Sequence, residues 1–435
     1  MDILFVWTGP PDIIYSDSPK NKLLNLLLSK IFYSPRPILF HLLRSLTSGE
    51  HSVDIIQVRD SSDVDFSKKY DIVGITCITR YAFLSYKIAD EFRKNGSFVV
   101  LGGYHPSALP WEAKQHADAV FIGEAEDTWP LFLKEYELGK PRPFYIPTKP
   151  VDLNKINLPM NIDDKGKQFA IYASRGCPVG CEFCAISNMR FGRYFRKRNI
   201  NKIIEEINAH SGKYFVFRDS SLTIDPNFTK KLFKAMVGIN KKFVAMGNIN
   251  VLLHDDELLK LSQEAGCIGW LIGFESVNQE SINEIGKITN KVDEYISAVK
   301  KIHDYGITVD GTFVFGFDHD TPDIFDKTYD FVQKSEIDRF LSMILTPYPG
   351  TPLFERLERE GRILTKNWDK YNMEDVVFKP KNMTPEELYY KSRELHEKAH
   401  QISIDFPKIF KSTRYDYYAF RTIMMDVILS RLIRY

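Results

Sequence analysis

Two series of short apolar segments, each alternating with stretches of helical periodicity, constrain the fold of this 435-residue chain more than any other feature. The first series lies within residues 1–140, and its segments are rich in β-branched and aromatic residues bounded by Gly, Pro or charge. These segments are 3–7, 53–58, 71–78, 98–102 and 119–123. Because strands that alternate with helices form parallel sheets, the series predicts a doubly wound α/β sheet whose ligands bind beyond the carboxyl ends of its strands.

A proline-rich stretch separates the first series from the second. Residues 140–160 contain five prolines, which cannot sustain a helix or a central strand and therefore predict a domain boundary. Six strands are predicted beyond it, at 168–172, 214–217, 243–246, 268–272, 309–315 and 340–345. The helices predicted between them are 200–211, 227–236, 255–264, 292–305 and 321–334. This alternation indicates a (β/α)6 sheet that curves towards a barrel but is shorter than the closed eight-stranded form.

The chain is thus predicted to have four parts. They are an N-terminal domain at 1–145, a linker at 146–165, a partial barrel at 166–365 and a C-terminal helical extension at 366–435. Within the extension, residues 384–401 predict a helix with Thr384 as N-cap and Glu387 in the capping-box position. Residues 408–435 have the pattern of an amphipathic helix, interpreted as a strap on the barrel, with a lid or a membrane-surface contact as the alternative.

Charge and cysteine content exclude several classes of protein. Lys and Arg number 58 against 57 Asp and Glu, and this net charge of +1 gives no reason to expect nucleic acid as a partner. Five cysteines are too few for a disulfide framework in a chain of this length, and Cys77 and Cys267 are interpreted as core residues. Neither a signal peptide nor a transmembrane segment is recognised, which predicts a cytoplasmic protein with reduced thiols.

The other three cysteines lie within eight residues, directly after the first strand of the second series. They are Cys177, Cys181 and Cys184, and Gly176 and Gly180 allow a tight loop to wrap three thiolates around one centre. Three thiolates on a [4Fe-4S] cluster leave one iron open, as a catalytic cluster requires. The alternative is a structural zinc site with a histidine as fourth ligand, although no histidine follows closely.

The spacing Cys177-x3-Cys181-x2-Cys184, with Phe183 before the third cysteine, resembles the radical S-adenosylmethionine (SAM) superfamily. The resemblance implies that the open iron chelates the amino and carboxylate groups of SAM, which the reduced cluster cleaves to a 5′-deoxyadenosyl radical. It assigns SAM contacts to residues at the carboxyl ends of later strands. These contacts are Phe183, Asp219, Ser220, Glu275, Ser276, Gly311 and Phe313. Asp219 and Ser220 depart from the usual Gly-Gly-Glu form of their motif.

The first domain lacks the G-x-G-x-x-G turn of a dinucleotide site, since Thr8 is followed by Gly-Pro-Pro. Its strand ends instead resemble the Rossmann-like cobalamin-binding domain that is fused to one large class of radical SAM enzymes. The cobalamin contacts implied are Thr76, Thr79, Gly102, Gly103, His105, Gly123, Glu124 and Glu126. The D-x-H-x-x-G motif is absent, so no histidine ligand to cobalt is expected from that loop; a domain that has lost its cofactor is the alternative. Gly103, Glu124 and the three cluster cysteines are predicted to line one cavity.

The resemblance to this class, which includes enzymes of the hopanoid-methylase type, implies a cobalamin-dependent methyltransferase acting on an unactivated carbon. A small or lipid-like substrate and a one-electron reductant of the flavodoxin or ferredoxin type are expected. The alternatives are an oxidoreductase or cyclase that forms a ring or C–C bond, a non-catalytic cluster and corrinoid sensor, and a tRNA-modifying enzyme. A basic patch is interpreted as solvated or cofactor-facing rather than RNA-binding. It comprises Arg190, Arg193, Arg196, Lys197 and Arg198.

Overall fold

Two six-stranded parallel sheets form the framework of the protein. A computed structural model describes residues 1–9, 38–156 and 169–402. The amphipathic segment predicted at 408–435, residues 157–165 of the linker and the predicted strand start at Gln168 lie outside the described residues. Within the described ranges, no helix is both long enough and apolar enough to cross a membrane.

The N-terminal sheet has the strand order β2-β1-β3-β4-β5-β6, and every neighbouring pair is parallel. Its strands are β1 Asp2–Thr8, β2 Ser52–Val58, β3 Ile72–Thr76, β4 Phe98–Gly102, β5 Ala119–Phe121 and β6 Phe144–Tyr145. Its helices are α1 Ile38–Ser45, α2 Ala82–Lys94, α3 Tyr104–Ala108, α4 Pro110–His116 and α5 Thr128–Glu137. The predicted doubly wound sheet is confirmed, with one addition. Strand β6 lies inside the proline-rich stretch and, at two residues, is too short to give an apolar pattern.

The second sheet is the partial barrel, and its order β14-β13-β12-β11-β10-β7 follows the chain without a switch. Its strands are β7 Phe169–Ile171, β10 Tyr214–Phe217, β11 Lys242–Gly247, β12 Cys267–Glu275, β13 Thr308–Phe315 and β14 Arg339–Ile344. Between β7 and β10, a short antiparallel pair of strands, β8 Ser174–Arg175 and β9 Arg196–Lys197, forms what we call the cluster hairpin. The six predicted strands and the (β/α)6 arrangement are confirmed.

Helices cover the convex face of the second sheet. They are α7 Ile200–Ala209, α8 Pro226–Met236, α9 Ile249–His254, α10 Asp256–Glu264, α11 Gln279–Glu284, α12 Tyr295–Asp304, α13 Ile324–Ser335, α14 Pro352–Arg359 and α15 Pro385–Ile402. One further short helix, α6 Ala185–Asn188, directly follows Cys184. Alternate residues of β10 and β11, such as Phe215 and Phe243, are buried in an aromatic core beneath these helices. The intervening residues are only half-buried and face the concave side, because successive side chains of a strand point to opposite faces.

The stretch before α15 connects the two halves of the molecule. Trp368 and Tyr371 are buried in the core cluster of the N-terminal sheet, and an isolated antiparallel bridge joins Ile363 to Phe378. The capping box predicted for α15 is confirmed. The Thr384 backbone N–H donates to Glu387 Oε2 at 2.8 Å, and the Glu387 N–H donates to Thr384 Oγ1 at 3.1 Å.

Candidate active site between the two sheets

A cavity of about 380 Å³ lies where the carboxyl ends of the N-terminal sheet meet the cluster hairpin. Six of the eight predicted cobalamin contacts line it. They are Thr76, Gly102, Gly103, Gly123, Glu124 and Glu126. Across the cavity, the second domain contributes a different set. This set includes Tyr172, Ser174, Arg175, Gly176, Arg190, Arg196, Arg218 and Ser220. The cavity therefore reaches the residue directly before the first cluster cysteine, although the cysteines themselves are not among its lining residues.

Backbone geometry lets a large ligand approach the ends of β4 and β5. Gly103 has a φ of 98°, and a Cβ there would lie 2.8 Å from the Cys77 carbonyl oxygen, so only glycine fits this turn. Ser107, which the sequence did not single out, joins the two loops. Its Oγ donates to the Gly103 carbonyl at 2.6 Å and accepts from the Gly123 N–H at 2.9 Å.

Two predicted cobalamin contacts do not reach the cavity. His105 is fully buried, and its Nε2 lies 3.1 Å from Glu112 Oε1 while its ring packs edge-on against Trp368. Thr79 is also buried, at 1% exposure, in the turn that precedes α2. The reason is local: α3 begins directly after Gly103 and carries the His105 ring away from the strand ends. We therefore withdraw both residues as cobalamin contacts.

The three cysteines lie on a loop that backbone contacts hold in place; we call residues 176–184 the cluster loop. Gly176 has a φ of 90°, and a Cβ there would lie 2.2 Å from the Tyr194 carbonyl oxygen. The Cys177 N–H donates to the Gly192 carbonyl at 2.8 Å. Asn188, which the sequence did not single out, donates from Nδ2 to the carbonyl oxygens of Cys181 and Cys184 at 3.0 and 2.8 Å.

The donor set of this loop fits an iron–sulfur cluster. Burial raises the pKa of the Cys177 thiol and raises that of Cys181 to about 12, so the thiols are neutral until a metal displaces their protons. In the described residues, no three His, Cys, Asp or Glu side chains are arranged to hold one metal ion. Thiolates of a cluster bind different irons and need not converge on one point. Cys177, Cys181 and Cys184 would hold three of them and leave the fourth open.

The Asp219 carboxylate is occupied by hydrogen bonds within the protein. It is fully buried, and its Oδ2 accepts from the Ala173 N–H at 3.0 Å while its Oδ1 accepts from the Ser174 N–H and Oγ, both at 2.5 Å. Burial raises the pKa of Asp219 to about 6. The predicted SAM contact is thus replaced by a link between the end of β10 and the start of the cluster hairpin. Its neighbour Ser220 does line the cavity.

Glu275 lies at the carboxyl end of β12 and is paired with a lysine. It follows a register shift at the end of β12 and has a φ of 64°, which is unusual for a residue with a side chain. Lys287, which the sequence missed, donates to Glu275 Oε1 at 2.5 Å and to the Gly273 carbonyl at 2.7 Å. Asn290 donates to the same carbonyl at 2.9 Å. Ser276 is buried beside this group, at 3% exposure.

The remaining predicted SAM contacts lie in different surroundings. Phe183 is half-buried in the cluster loop, with its ring 6.1 Å from that of Phe317. Phe313 is fully buried, parallel to Phe274 at 5.3 Å and against helix α13, so its ring lies on the convex side and we withdraw it as a SAM contact. Gly311 lies on β13 with Phe274 ring atoms 3.1 Å from where its Cβ would be.

Two family models match separate parts of the chain. The B12 binding domain model matches residues 39–133, and the Radical SAM superfamily model matches residues 171–332. Bacteriochlorophyllide d C-12(1)-methyltransferase of Chlorobaculum tepidum is 32% identical over 369 residues, which cover 81% of this chain and 80% of that protein. The chain belongs to the B12-binding radical SAM methyltransferases.

One further relative and one solved structure are also similar to this chain. The anaerobic magnesium-protoporphyrin IX monomethyl ester cyclase of Cereibacter sphaeroides is 26% identical over 359 residues, 73% of this chain and 58% of that protein. The radical SAM methyltransferase TsrM of Kitasatospora setae, solved with cobalamin and a [4Fe-4S] cluster bound, has a TM-score of 0.70 at 14% identity. That match covers 100% of this chain and 99% of TsrM, so the two proteins share one fold.

As a B12-binding radical SAM methyltransferase, the protein uses a [4Fe-4S] cluster, SAM and cobalamin. Its own residues fit all three groups. The three cysteines would supply thiolates to the cluster, and the glycine turns at the ends of β4 and β5 would admit a large ligand to the cavity. Glu275 and Ser276 lie at the carboxyl end of β12 beside Lys287.

Proposed function

We propose that this enzyme methylates an unactivated carbon of a hydrophobic substrate of the tetrapyrrole class. The observation that carries the proposal is the shared cavity. Strand ends of the cobalamin-binding sheet and the hairpin leading into the cluster loop line one space of about 380 Å³. A methyl carrier and a radical source have to act on the same substrate carbon. A cavity that lies between their two sites would let both reach one bound substrate.

The substrate class is inferred from the relatives. The protein that is 32% identical over four-fifths of both chains is named for methylation of bacteriochlorophyllide d, a large and mostly apolar macrocycle. The cyclase relative is likewise named for a porphyrin substrate. Similarity over such a length includes the barrel strands, and in (β/α) barrel enzymes the active site lies at the carboxyl ends of these strands.

The concave face of the second sheet supports a hydrophobic substrate. Met246 of β11 is in register with Leu271 of β12, and Thr312 of β13 is in register with Leu341 of β14. All four are half-buried, in contrast to the fully buried residues that alternate with them under the helices. Neighbours in register point to the same side of a sheet. In the same row, Leu271 is in register with Asp310 and Asp310 with Arg339, and these two side chains form an ion pair at 3.8 Å. The face therefore offers an apolar surface at Met246, Leu271 and Leu341 beside this ion pair.

Each part of the chain then has a defined task. Cys177, Cys181 and Cys184 would hold the cluster, which with SAM would supply the radical chemistry, and the loops after β4 and β5 would hold cobalamin, which would supply the methyl group. Lys287 orients the Glu275 carboxylate, and Asn290 fixes the strand end that carries it. Phe5, Phe121 and Trp129 form an apolar wall of the cavity, which keeps water away from reactive groups.

A second candidate is a cyclase or other C–C-bond-forming oxidoreductase with the same cofactors. The 26% identity to the magnesium-protoporphyrin cyclase supports this second candidate. In that reaction cobalamin is not a methyl donor, so no carbon of SAM enters the product.

The experiment is an anaerobic reaction with methyl-deuterated SAM. Protein reconstituted with iron, sulfide and hydroxocobalamin is given a chemical one-electron reductant and a bacteriochlorophyllide without the added methyl group. We expect a product heavier by one deuterated methyl group, together with 5′-deoxyadenosine. The Cys181→Ala variant, which removes one of the three thiolates, should form neither.

Each alternative predicts a different result. A modified but unlabelled product contradicts methyl transfer and supports the cyclase. Absence of 5′-deoxyadenosine in a protein with a full cluster contradicts the enzyme assignment and supports a sensor. Labelled product from protein without any corrinoid would mean that the first domain does not carry the methyl group.

A further inference from the structure

Four charged side chains cross the boundary between the cobalamin-binding domain and the cluster hairpin. Arg175 and Arg196 belong to the hairpin, and Glu124 and Glu126 follow strand β5. Both glutamates were predicted as cobalamin contacts, but their carboxylates pair with the two arginines, so we withdraw them as direct cobalamin contacts. We propose that these four residues, here called the ion-pair bridge, are positioning residues that fix the separation between the cobalamin site and the iron–sulfur cluster. The proposal takes both cofactors from the family and rests on the proposed function only where product is measured.

Both arginines reach the same glutamate from adjacent strands. Arg175 and Arg196 are register partners in the antiparallel β8–β9 pair. Arg196 holds both carboxylate oxygens of Glu124, with Nη1 at 2.6 Å from Oε2 and Nη2 at 3.0 Å from Oε1. Arg175 Nη1 donates to Glu124 Oε1 at 3.1 Å and also to Glu126 Oε1. Paired guanidinium and carboxylate planes restrict both distance and angle.

The chain connects each end of the bridge directly to a cofactor site. On one side, a single residue, Gly176, separates Arg175 from the cluster ligand Cys177. On the other side, Glu124 follows Gly123, the left-handed turn that opens the cavity at the end of β5. All four bridge residues line the cavity. A shift of the bridge would therefore move the cluster loop and the cobalamin-binding loops relative to each other.

The ion-pair bridge is mostly buried and its charges balance, unlike an exposed ion pair at the surface. The side-chain exposures are 23% for Arg175, 17% for Arg196, 16% for Glu124 and 5% for Glu126. Two positive and two negative groups cancel. Burial opposes ionisation of Glu124, but hydrogen bonds from Arg196 and the charges of both arginines hold its pKa below the usual value. Buried ion pairs add little net stability, and their best-attested use is to select one arrangement.

Backbone contacts extend the same connection. Glu124 Oε2 also accepts from the Val151 N–H at 3.3 Å, and Arg196 Nη1 donates to the Val151 carbonyl at 3.1 Å. Val151 belongs to the stretch that leaves the first domain. The bridge thus joins three segments: the β5 loop, the start of the linker and the cluster hairpin.

The test measures the distance between the two cofactors without using substrate. Cob(II)alamin and the reduced cluster are both paramagnetic, so pulsed electron paramagnetic resonance of the loaded protein reports their separation. We expect one narrow distance distribution in the wild type. In Arg175→Gln and in Glu126→Gln, we expect a distribution that is clearly broader or shifted, with both cofactors bound at one per chain.

A matched control comes from the same hairpin. Lys197 pairs with Asp225 at 2.7 Å, an ion pair that stays within the second domain. Lys197→Gln should keep the wild-type distribution, whereas Arg175→Lys, which retains the charge but not the planar contacts, should be intermediate. If the bridge fixes the geometry, the ratio of 5′-deoxyadenosine to methylated product should also rise in Arg175→Gln, by up to about 100-fold, because a displacement of about 1 Å can cost on the order of 100-fold in rate.

Two results would overturn the proposal. One is a wild-type distance distribution in both Arg175→Gln and Glu126→Gln. The other is loss of a cofactor in both variants, since a positioning role requires both sites to survive. The distance needs no turnover, so a failure of the methylation assay alone would count against the proposed function and leave the bridge supported.

Discussion

At the scale of single residues, Asp219 shows how a position can be predicted correctly and its role incorrectly. The motif comparison placed it after the second strand of the barrel, which is where it lies. Its carboxylate, however, accepts three hydrogen bonds from Ala173 and Ser174 inside the protein. Because a side-chain orientation depends on which donors the neighbouring turn leaves unpaired, the linear sequence did not contain this information.

We expect Asp219→Asn to destabilise the fold by about 1–3 kcal/mol, because an amide has one oxygen and would turn its NH2 group towards a buried N–H donor. Denaturant unfolding of the apo protein measures this. The binding of SAM to variant protein that carries a full cluster is the control. Unchanged stability combined with lost SAM affinity would restore Asp219 as a SAM contact.

The burial of Asp219 should also make the stability of the protein depend on pH. Burial raises the pKa of Asp219 to about 6, above the ordinary 3.8 of the unfolded chain. Between about pH 4 and pH 6 the folded state thus keeps a proton that the unfolded state has lost, so the stability from this group is present below pH 4 and is lost as the pH rises through 6. The free energy of unfolding of the wild type should therefore rise relative to that of Asp219→Asn as the pH is lowered from 7 to 4. A constant difference between the two proteins over this range would contradict the assignment.

At the scale of elements, the strands of both sheets were predictable because parallel strands covered by helices are nearly continuous apolar runs. The capping box of α15 was predictable because Thr384 and Glu387 interact locally. Strand β6, with two residues, was not. Strand-end positions identified six cavity residues, whereas Phe313 and His105 were misassigned because alternation along a strand and the onset of a helix decide where a side chain points.

The cluster loop gives a prediction at this scale. In Gly176→Ala, the new Cβ would lie 2.2 Å from the Tyr194 carbonyl oxygen, so the loop and the cluster hairpin cannot both keep their positions. We expect the iron and sulfide content after anaerobic reconstitution to fall well below that of the wild type. Gly139→Ala is a matched control, because Gly139 also has a positive φ, of 69°, but has no neighbour within 4 Å of its Cβ position. Equal iron content in the two variants would contradict a steric requirement at Gly176.

At the scale of the whole molecule, helix α14, which follows the last barrel strand β14, forms an ion pair with the cluster loop. Arg356 of α14 donates from Nε to Glu182 Oε1 at 2.6 Å, and Glu182 lies between two cluster cysteines. The same guanidinium donates to Asp318 Oδ2 at 2.7 Å and to Glu284 Oε1 at 3.2 Å. This connection joins residues 174 positions apart and was not visible in the sequence, because long-range ion pairs leave no periodic signal.

We expect Arg356→Met to destabilise the protein by about 3–5 kcal/mol, because it leaves three partly buried carboxylates without their shared cation. The unfolding midpoint in denaturant measures this loss. Lys366→Met, which breaks an exposed ion pair with Glu358, should cost less than about 1 kcal/mol. Similar losses in the two variants would show that the Arg356 contacts do not fasten the cluster loop.

The central claim is that two SAM-dependent steps meet in one cavity, and the stoichiometry of SAM products tests it most directly. With a bacteriochlorophyllide substrate and a one-electron reductant under anaerobic conditions, we predict equal amounts of methylated product, 5′-deoxyadenosine and S-adenosylhomocysteine. The methylated product and S-adenosylhomocysteine should both depend on added cobalamin. Each methylation would then consume one SAM for the radical and a second SAM for the methyl group. Formation of methylated product without 5′-deoxyadenosine, or in equal yield without cobalamin, would contradict the claim.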